Sequence, residues 1–302
     1  MELKQLKLLL NEFGQNIRFE YDLKKKNWFN IGGKAKIFYK ANDLNELVIF
    51  LKKLNNKEKV FVLGAGSNIL ISDDLFNGVV IKLGKNFNNI SLLGEDIIIA
   101  GSSVLDKSLS EFAMNNSLSG FEFLSCIPGT IGGGIRMNAG CFGNEFKDIL
   151  LSVQAIDKTG NVKTILSKDI KFEYRNNNLP DDLIFLSASF KGKKGNLTKI
   201  SDEMSKLKIK KEKNQPTQIK TSGSTFKNPI LQTEKKVWEL IKESVPLDTN
   251  FGDAYISDKH CNFFVNKGNA NFEDMIKLIN FVTENVFKKT GIRLEKEIKI
   301  LE

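Results

Sequence analysis

The stretch from Phe123 to Gly143, FLSCIPGTIGGGIRMNAGCFG, constrains this chain more than any other. Apolar residues alternate with six glycines, which are Gly129, Gly132, Gly133, Gly134, Gly140 and Gly143. Glycine has no side chain to bury and costs conformational entropy, so this density weakens an ordinary strand or helix. The stretch predicts either a main-chain surface for a flat or phosphorylated ligand, or a tight buried crossing of two chain segments. The residues alone favour neither.

Length and composition predict a globular protein of two domains. The chain has 302 residues, of which 41% are hydrophobic and 27% charged, and this leaves ample residues for a core. No apolar run approaches the roughly 18 residues of a membrane span. The start, MELKQLKLLLNEFG, has leucines at helical spacing and predicts an amphipathic helix rather than a signal peptide. We therefore expect a cytoplasmic protein without a membrane span.

Cysteine and histidine are too few for a metal centre. The three cysteines, Cys126, Cys141 and Cys261, lack CxxC spacing, and His260 is the single histidine. This pattern argues against a disulfide framework and against a zinc site, so we expect no metal. His260 and Cys261 are more readily explained as structural or pocket-lining residues than as catalytic ones.

The positive charge is spread along the chain rather than gathered in a patch. Net charge is +9, and nearly all of it comes from lysine; the arginines are Arg18, Arg136, Arg175 and Arg293. Without a local basic patch, nucleic-acid binding is not expected, whereas an anionic substrate suits the balance. Each arginine is a candidate for binding a carboxylate, because a guanidinium can bind a carboxylate at two points.

A second glycine-rich loop follows a predicted strand in the first quarter of the chain. Asp43 is predicted to open a helix, and the strand Val60–Leu63 then runs into Gly64–Asn68. Consecutive main-chain N–H groups in such a loop can cradle phosphate oxygens. The loop matches no nucleotide-binding motif, however, and another predicted strand, Ile69–Asp73, follows it. A hairpin turn is the interpretation that the residues favour.

The remaining segments alternate strands and helices. A hairpin is predicted over residues 150–165 around Asp157–Gly160, and the lysine- and glycine-rich KGKKGN at 191–196 is the best domain boundary. Asn271 is predicted to cap a long helix. The chain closes with a predicted strand, Leu294–Leu301, in which Glu295 and Glu297 share one face.

Six short motifs, taken together in this order, resemble those of a known family, although no single one of them is specific. They are NIGG, LGAGSN, IPGTIGGGIRMNAG, YR, SGSTFKNP and LEKE. With this order and spacing, the chain from about residue 20 to its end resembles the shorter subtype of the UDP-N-acetylenolpyruvoylglucosamine reductase family of cell-wall synthesis. The resemblance implies an α+β fold. A two-part FAD-binding domain of the vanillyl-alcohol-oxidase type would cover residues 1–191, divided near 75 and 76, and a smaller α+β substrate domain would cover 192–302.

The resemblance also implies the cofactors. NADPH would reduce bound FAD, and the flavin N5 would pass hydride to C3 of UDP-N-acetylglucosamine enolpyruvate while a proton reaches C2, giving UDP-N-acetylmuramate. We also expect a monomer. The residues implied to contact FAD are Asn30, Ile31, Gly32, Gly33, Gly64, Ala65, Gly66, Ser67, Asn68, Ile69, Leu70, Ile127, Pro128, Gly129, Thr130, Gly132, Gly133, Asn138, Ala139 and Gly140.

The resemblance implies three catalytic residues. Arg175 would stabilise the negative charge that develops beside the substrate carboxylate, Ser224 would donate the proton, and Glu297 would support protonation. Tyr174, Lys227 and Asn228 would bind the substrate. Some relatives have a lysine where this chain has Asn214, so a diphosphate contact there would need another residue, such as Lys213 or Lys220.

Simpler interpretations of these residues stay open. Arg175 could be an ordinary surface ion-pair partner, Ser222 and Ser224 could make turn hydrogen bonds, and Glu295 has the same claim as Glu297 from the pattern alone. An oxidase of the same fold acting on a small hydroxy compound is the nearest alternative function. A basic, non-catalytic binding protein is a more distant one.

Overall fold

The computed structural model describes residues 9–54, 58–216 and 219–302. The amphipathic helix predicted at residues 1–14 lies mostly outside these ranges. The main helices are α1 (Leu44–Leu54), α2 (Asp106–Asn115), α3 (Ile131–Met137), α4 (Leu197–Asn214), α5 (Val237–Ser244) and α6 (Phe272–Thr290). None of these helices combines the length and apolar character that a bilayer crossing requires.

The strands form several small sheets. They are β1 (Ile17–Asp22), β2 (Lys34–Ala41), β3 (Val60–Val62), β4 (Ile69–Ile71), β5 (Phe76–Leu83), β6 (Ile90–Leu93), β7 (Ile97–Gly101), β8 (Leu118–Ser119), β9 (Gly140–Cys141), β10 (Asn144–Glu145), β11 (Leu150–Ile156), β12 (Val162–Leu166), β13 (Ile184–Lys191), β14 (Lys193–Lys194), β15 (Asn250–Phe251), β16 (Ala254–Ile256), β17 (Phe264–Asn266) and β18 (Lys299–Leu301). The larger sheets have the orders β1-β2-β5-β3, β12-β11-β13-β7-β6 and β15-β16-β17. Helices and sheets of this kind confirm the predicted α+β class.

Local sequence signals account for the helix and hairpin that carry the clearest patterns. Asp43 Oδ1 accepts a hydrogen bond from the N–H of Glu46 at 2.9 Å, so α1 begins where the sequence predicted. At the hairpin, β11 and β12 pair with Val153 opposite Ile165. Asp157 Oδ1 accepts from the N–H of Thr159 at 2.9 Å and fixes the turn between them. Both predictions are confirmed.

The hairpin predicted around Gly64–Asn68 is wrong. The strands on either side of this loop pair with different partners, because β3 runs parallel to β5 and β4 runs parallel to β18. A hairpin requires the two flanking strands to pair with each other. The loop is therefore a connection between separate sheets, which short-range sequence signals do not reveal.

The closing strand is also shorter than predicted. Only Lys299–Leu301 forms a strand, opposite Ile69–Ile71 of β4. The preceding residues turn to another partner, with Lys296 bridged to Phe226. Residues 294–301 therefore do not form one strand: Lys296 pairs with Phe226, and Lys299–Leu301 pair with β4.

The chain forms two compact units whose bounds differ from the predicted domain bounds. The first comprises the described residues of Met1–Tyr21, Lys36–Ala65 and Asn77–Lys210, and the second those of Asp22–Ala35, Gly66–Phe76 and Lys211–Glu302. The reason is packing, since Phe29, Ile31 and Leu70 are buried in the core of the second unit with residues of α5 and α6. The compact units divide at residues 76/77 and 210/211 as well as at earlier points, and the predicted FAD and substrate domains stay a prediction.

Candidate active site

The glycine-rich strip, residues 127–134, is anchored in the first unit by an antiparallel neighbour. The N–H of Ile131 donates to the carbonyl of Val104, and that of Gly132 to the carbonyl of Ser102, both at 2.9 Å. The N–H of Asp106 in turn donates to the carbonyl of Gly129 at 3.2 Å. The strip is therefore held firmly by main-chain bonds and leads into α3.

Most glycines of the strip are required by space inside the protein. A Cβ at Gly134 would lie 2.2 Å from Cε2 of Phe146, and one at Gly129 would lie 2.5 Å from Oδ2 of Asp106. Real Cβ atoms essentially never come so close to another heavy atom. At these positions the structure supports the tight buried crossing.

Gly133 is different from its neighbours. It is exposed, and a Cβ there would meet only Oγ1 of Thr130, at 3.5 Å. Pro128 is exposed as well. Gly133 therefore leaves the strip without a side chain at one exposed position, which is compatible with the ligand-surface interpretation. The buried crossing is supported at Gly129 and Gly134, and ligand contact at Gly133 stays a prediction.

A buried acid lies beneath this strip. Asp106 is fully buried, and among the described residues neither of its carboxylate oxygens has a hydrogen-bond partner. Burial raises the pKa of Asp106 well above its ordinary value. Burial therefore favours the protonated form of this side chain, whose Oδ2 leaves no room for a Cβ at Gly129 of the strip.

Arg175 is joined to the Asn138–Gly140 segment that ends α3. Its Nη2 donates to the carbonyl of Gly140 at 2.9 Å, and its Nη1 lies 3.7 Å from Oε1 of Glu145. The guanidinium carbon lies 4.8 Å from the centre of the Tyr174 ring. With 15% of its side chain exposed, Arg175 is not an ordinary surface arginine, because three groups fix its orientation.

The other arginine of this region has a structural role. Arg136, on α3, donates to the carbonyls of Leu179, Pro180 and Leu183 at 3.2, 3.0 and 2.6 Å. Burial lowers its pKa. These contacts tie the loop after Arg175 to the glycine-rich strip.

The loop over residues 64–68 is shaped by contacts on both of its halves. Lys82 Nζ donates to the carbonyl of Gly64 at 2.6 Å, and a Cβ at Gly64 would lie 2.7 Å from Oγ1 of Thr130. Gly66 has φ +70°, and a Cβ there would lie 2.2 Å from the carbonyl oxygen of Lys26. Glycine is thus required at both positions, by space at Gly64 and by space and conformation at Gly66.

The NIGG motif packs against the residues that follow β4. The N–H of Gly33 donates to the carbonyl of Ser72 at 2.7 Å, and a Cβ at Gly33 would lie 2.1 Å from the carbonyl oxygen of Asp73. Gly32 has φ +141°. These contacts explain the two glycines as packing and turn residues, and the predicted contact of Asn30–Gly33 with FAD stays a prediction.

In the second unit, the SGSTFKNP segment lies between two neighbouring chain segments. On one side the N–H of Thr225 donates to the carbonyl of Asn262, and on the other the N–H of Glu297 donates to the carbonyl of Thr225, both at 2.8 Å. Ser224 therefore lies one residue from the position opposite Glu297. Asn68 Nδ2 donates to the carbonyl of Glu297 at 3.2 Å. The second unit thus brings the predicted Ser224, Glu297 and Asn68 together.

Ser222 and Ser224 differ in their surroundings. The Ser222 hydroxyl donates to the carbonyl of Ile69 at 3.0 Å and is 2% exposed. It therefore fits the structural interpretation. Ser224 is half-buried, and its predicted catalytic role stays a prediction.

The predicted substrate residues Lys227 and Asn228 already have protein partners. Lys227 Nζ lies 2.6 Å from Oε1 of Glu295, and Asn228 Oδ1 accepts from the N–H of Val237 at the start of α5, at 3.0 Å. Because Glu295 pairs with Lys227, the structure distinguishes the two glutamates of the closing segment. Roles of Lys227 and Asn228 in substrate binding stay predictions.

His260 and Cys261 are held by structural contacts. His260 Nδ1 accepts from the N–H of Asn262 at 3.3 Å, and burial lowers the pKa of its imidazole. The Cys261 thiol donates to the carbonyl of Trp238 at 3.0 Å, and burial raises its pKa. Within the described ranges, no group of three or more His, Cys, Asp or Glu side chains is placed to hold a metal ion.

Sequence reasoning missed three residues of these sites. Lys82, Asp106 and Glu145 belong to none of the motifs, yet each contacts a motif residue. A single sequence carries no signal for them, because each reaches its partner across a distance in the chain or across a turn.

Comparison with known proteins assigns the chain to a family. Residues 215–301 match the model of the UDP-N-acetylenolpyruvoylglucosamine reductase C-terminal domain, and residues 35–166 match an FAD binding domain. The UDP-N-acetylenolpyruvoylglucosamine reductase of Pelagibacter ubique is 65% identical over 100% of both chains. That of Rickettsia typhi is 47% identical over 93% of this chain and 94% of its own.

A solved structure agrees. The crystal structure of UDP-N-acetylenolpyruvylglucosamine reductase from Thermus caldophilus matches with a TM-score of 0.81 and 29% identity, over 95% of this chain and 98% of its own. The order of motifs, the fold and the relatives therefore lead to one conclusion: the chain belongs to the UDP-N-acetylenolpyruvoylglucosamine reductase family.

Proposed function

We propose that this chain reduces UDP-N-acetylglucosamine enolpyruvate to UDP-N-acetylmuramate for peptidoglycan synthesis, with FAD as bound cofactor and NADPH as reductant. The full-length identity of 65% to a curated reductase supports the activity. The observation that carries the proposal is the arrangement of the SGSTFKNP segment, whose main chain is bonded to Asn262 on one side and Glu297 on the other. The main chain is thereby held on both sides at the residue next to Ser224, which supports Ser224 as part of the site.

The residues present fit FAD. A flat ring system needs a surface with few side chains, and the exposed Gly133 leaves one position of the strip without any. A diphosphate needs N–H donors and positive charge, which the glycine-rich loop at 64–68 and the Lys82 ammonium beside Gly64 supply. We therefore infer that the strip, this loop and Asn30–Gly33 hold the cofactor.

The reaction needs stabilisation of negative charge as well as hydride. FAD, when bound, would supply the two-electron chemistry that links NADPH oxidation to reduction of the enolpyruvyl group at C3. Charge then develops on the atoms conjugated with the substrate carboxylate, and a fixed guanidinium lowers that barrier. Arg175 is the proposed cation, since its planar fork matches a carboxylate.

The proton for C2 is assigned to Ser224. A serine hydroxyl is a weak acid on its own, so it needs nearby charge or a supply of protons. Glu297 is the residue proposed to support that transfer, and its main chain is bonded to the residue next to Ser224. Tyr174, Lys227 and Asn228 are the proposed substrate contacts.

Location and assembly are part of the proposal. We expect a cytoplasmic monomer. Three free cysteines, Cys126, Cys141 and Cys261, are consistent with a reducing compartment. Size-exclusion chromatography with light scattering measures the oligomeric state directly.

The test separates the two half-reactions under anaerobic conditions. The visible spectrum of the purified protein should show flavin, NADPH should bleach it, and the enolpyruvyl UDP-sugar should restore it. Ser224→Ala should keep reduction by NADPH and slow reoxidation by the sugar about 10²- to 10⁴-fold, the usual contribution of acid–base catalysis.

Ser222→Ala is the matched control, because its hydroxyl bonds to a main-chain carbonyl and is buried. It should keep both half-reactions. If Ser224→Ala keeps both as well, the proton-donor assignment is wrong. If the sugar does not restore the flavin of the parent while oxygen does so rapidly, an oxidase is the better description.

A further inference from the structure

Glu145 contacts several polar groups of the motifs around it. Its Oε2 accepts from Asn138 Nδ2 at 2.9 Å and lies 2.8 Å from Lys147 Nζ. Its Oε1 lies 3.7 Å from Arg175 Nη1. With 17% of its side chain exposed, the carboxylate is partly shielded from water, so its attraction to the guanidinium is less screened than in a surface pair.

The Asn138 amide connects this carboxylate to the main chain beside Arg175. Asn138 is fully buried, and its Nδ2 also donates to the carbonyl of Glu173 at 3.0 Å. Glu173 and Asn176 exchange main-chain hydrogen bonds of 2.9 and 3.2 Å around Arg175. One amide thus contacts both Glu145 and the tight turn that presents Arg175.

Arg175 itself is held in a conformation that needs support. Its φ is +57°, in the left-handed region that costs a residue with a side chain roughly 1–2 kcal/mol. Its Nη2 bond to the Gly140 carbonyl fixes one edge of the guanidinium, and the Tyr174 ring covers one face. Glu145 adds a negative charge to these contacts.

We propose that Glu145 is a positioning residue of the reduction, whose carboxylate fixes the Arg175 guanidinium in the orientation that receives the substrate carboxylate. This inference rests on the proposed function, in which Arg175 stabilises the charge formed after hydride transfer. Glu145 acts through Arg175 and touches neither substrate nor cofactor in this scheme. Small displacements of such a group are costly, since a misplacement of about 1 Å can slow a reaction about 100-fold.

Glu145 also has a structural role that the test must separate. Its side chain accepts from the N–H of Asp148, and the Asp148 carboxylate accepts from the N–H of Glu145 at 2.7 Å, which closes a capping box around residues 146–148. Asp148→Asn weakens the hydrogen bond from the N–H of Glu145 to the Asp148 carboxylate, and it keeps the Glu145 carboxylate that pairs with Arg175. It is therefore the matched control.

The experiment uses the full chain loaded with FAD. Glu145→Gln removes the negative charge while it retains a hydrogen-bond acceptor for Asn138. We expect reduction by NADPH to stay within about twofold of the parent, and reoxidation by the enolpyruvyl UDP-sugar to slow about 10- to 100-fold. Glu145→Asp, which keeps the charge, should recover part of that loss, and Asp148→Asn should leave both half-reactions near the parent rate.

A double-mutant cycle decides whether Glu145 acts through Arg175. In an Arg175→Lys background the two-point grip is already lost, so Glu145→Gln should slow reoxidation by less than about twofold further. Full additivity of the two changes would overturn the proposal, as would equal loss in Glu145→Gln and Asp148→Asn. A parent that the sugar does not reoxidise would instead reject the proposed function itself.

Discussion

The glycine-rich strip of the first unit and the SGSTFKNP segment of the second both need glycine, but for different reasons. At Gly134 the cause is space, because a Cβ would lie 2.2 Å from the Phe146 ring. At Gly223 the cause is backbone conformation, because φ is +78° and a Cβ there would have no other heavy atom within 4 Å. The comparison shows that a motif glycine can be required for space or for backbone conformation, and that the motif alone does not reveal which.

Both regions are held by main-chain hydrogen bonds, but they differ in what surrounds their glycines. The strip packs closely against a buried aromatic ring and a buried acid, Phe146 and Asp106. In the SGSTFKNP segment, a Cβ at Gly223 would have open space around it. Substitutions should therefore disturb the first region by steric clash and the second by backbone strain.

The largest effect should come from Gly134→Ala. The Phe146 ring cannot easily move, since it packs against the rings of Phe123 and Phe190 at 6.4 and 6.1 Å between centroids. Overpacking of this kind costs about 1–3 kcal/mol or more, and each kcal/mol lowers the melting temperature by about 2–4 °C in a domain of this size. Thermal unfolding with and without FAD, together with the bound flavin content, measures the effect.

Gly133→Ala is the matched control for that substitution. Its Cβ would meet only Thr130 Oγ1, and alanine favours a helix over glycine by up to about 1 kcal/mol. The variant should melt at or slightly above the parent temperature and lose affinity for FAD. Equal melting temperatures for Gly134→Ala and the parent would show that the buried crossing is not a constraint.

The next effect concerns the acid beneath the strip and depends on pH. Burial raises the folded-state pKa of Asp106 above its ordinary value of 3.8. The folded protein therefore keeps this proton at pH values where the unfolded chain has lost it, and the stability of the parent falls as pH rises from about 4 to the folded pKa. Asp106→Asn does not titrate, so its melting temperature relative to the parent should increase over that range.

The difference in melting temperature between Asp106→Asn and the parent should change with pH by a limited amount. One pH unit within the range corresponds to at most about 1.4 kcal/mol, or about 3–6 °C. Melting curves of both proteins from pH 4 to 8 in buffers of equal ionic strength give the difference directly. A constant difference across that range would contradict the assignment of Asp106 as a buried neutral acid.

The smallest effect should come from Gly223→Ala. The new methyl group has room, so the cost is limited to the left-handed backbone, roughly 1–2 kcal/mol, and the melting temperature should fall by a few degrees. Gly223→Asn should lose less, because asparagine tolerates this conformation better than alanine. A larger loss for Gly223→Ala than for Gly134→Ala would reverse the comparison between the two regions.

The sequence by itself determined the family, the α+β class and the residues of each motif. Periodic and local signals gave α1, the hairpin around Asp157–Gly160 and the capped helix α6, whose Asn271 Oδ1 accepts from the N–H of Asp274 at 2.8 Å. These features depend on residues close in the chain, so local chemistry is sufficient to predict them.

Tertiary structure alone decided how those segments are joined and which of them pack together. The loop at 64–68 connects two sheets because β4 pairs with β18, which lies at the far end of the chain. The segments 22–35 and 66–76 belong to the second unit because Phe29, Ile31 and Leu70 are buried in its core. The roles of Asp106 and Glu145 also emerge only in the folded chain, since burial and ion pairing arise from neighbours that the linear pattern does not specify.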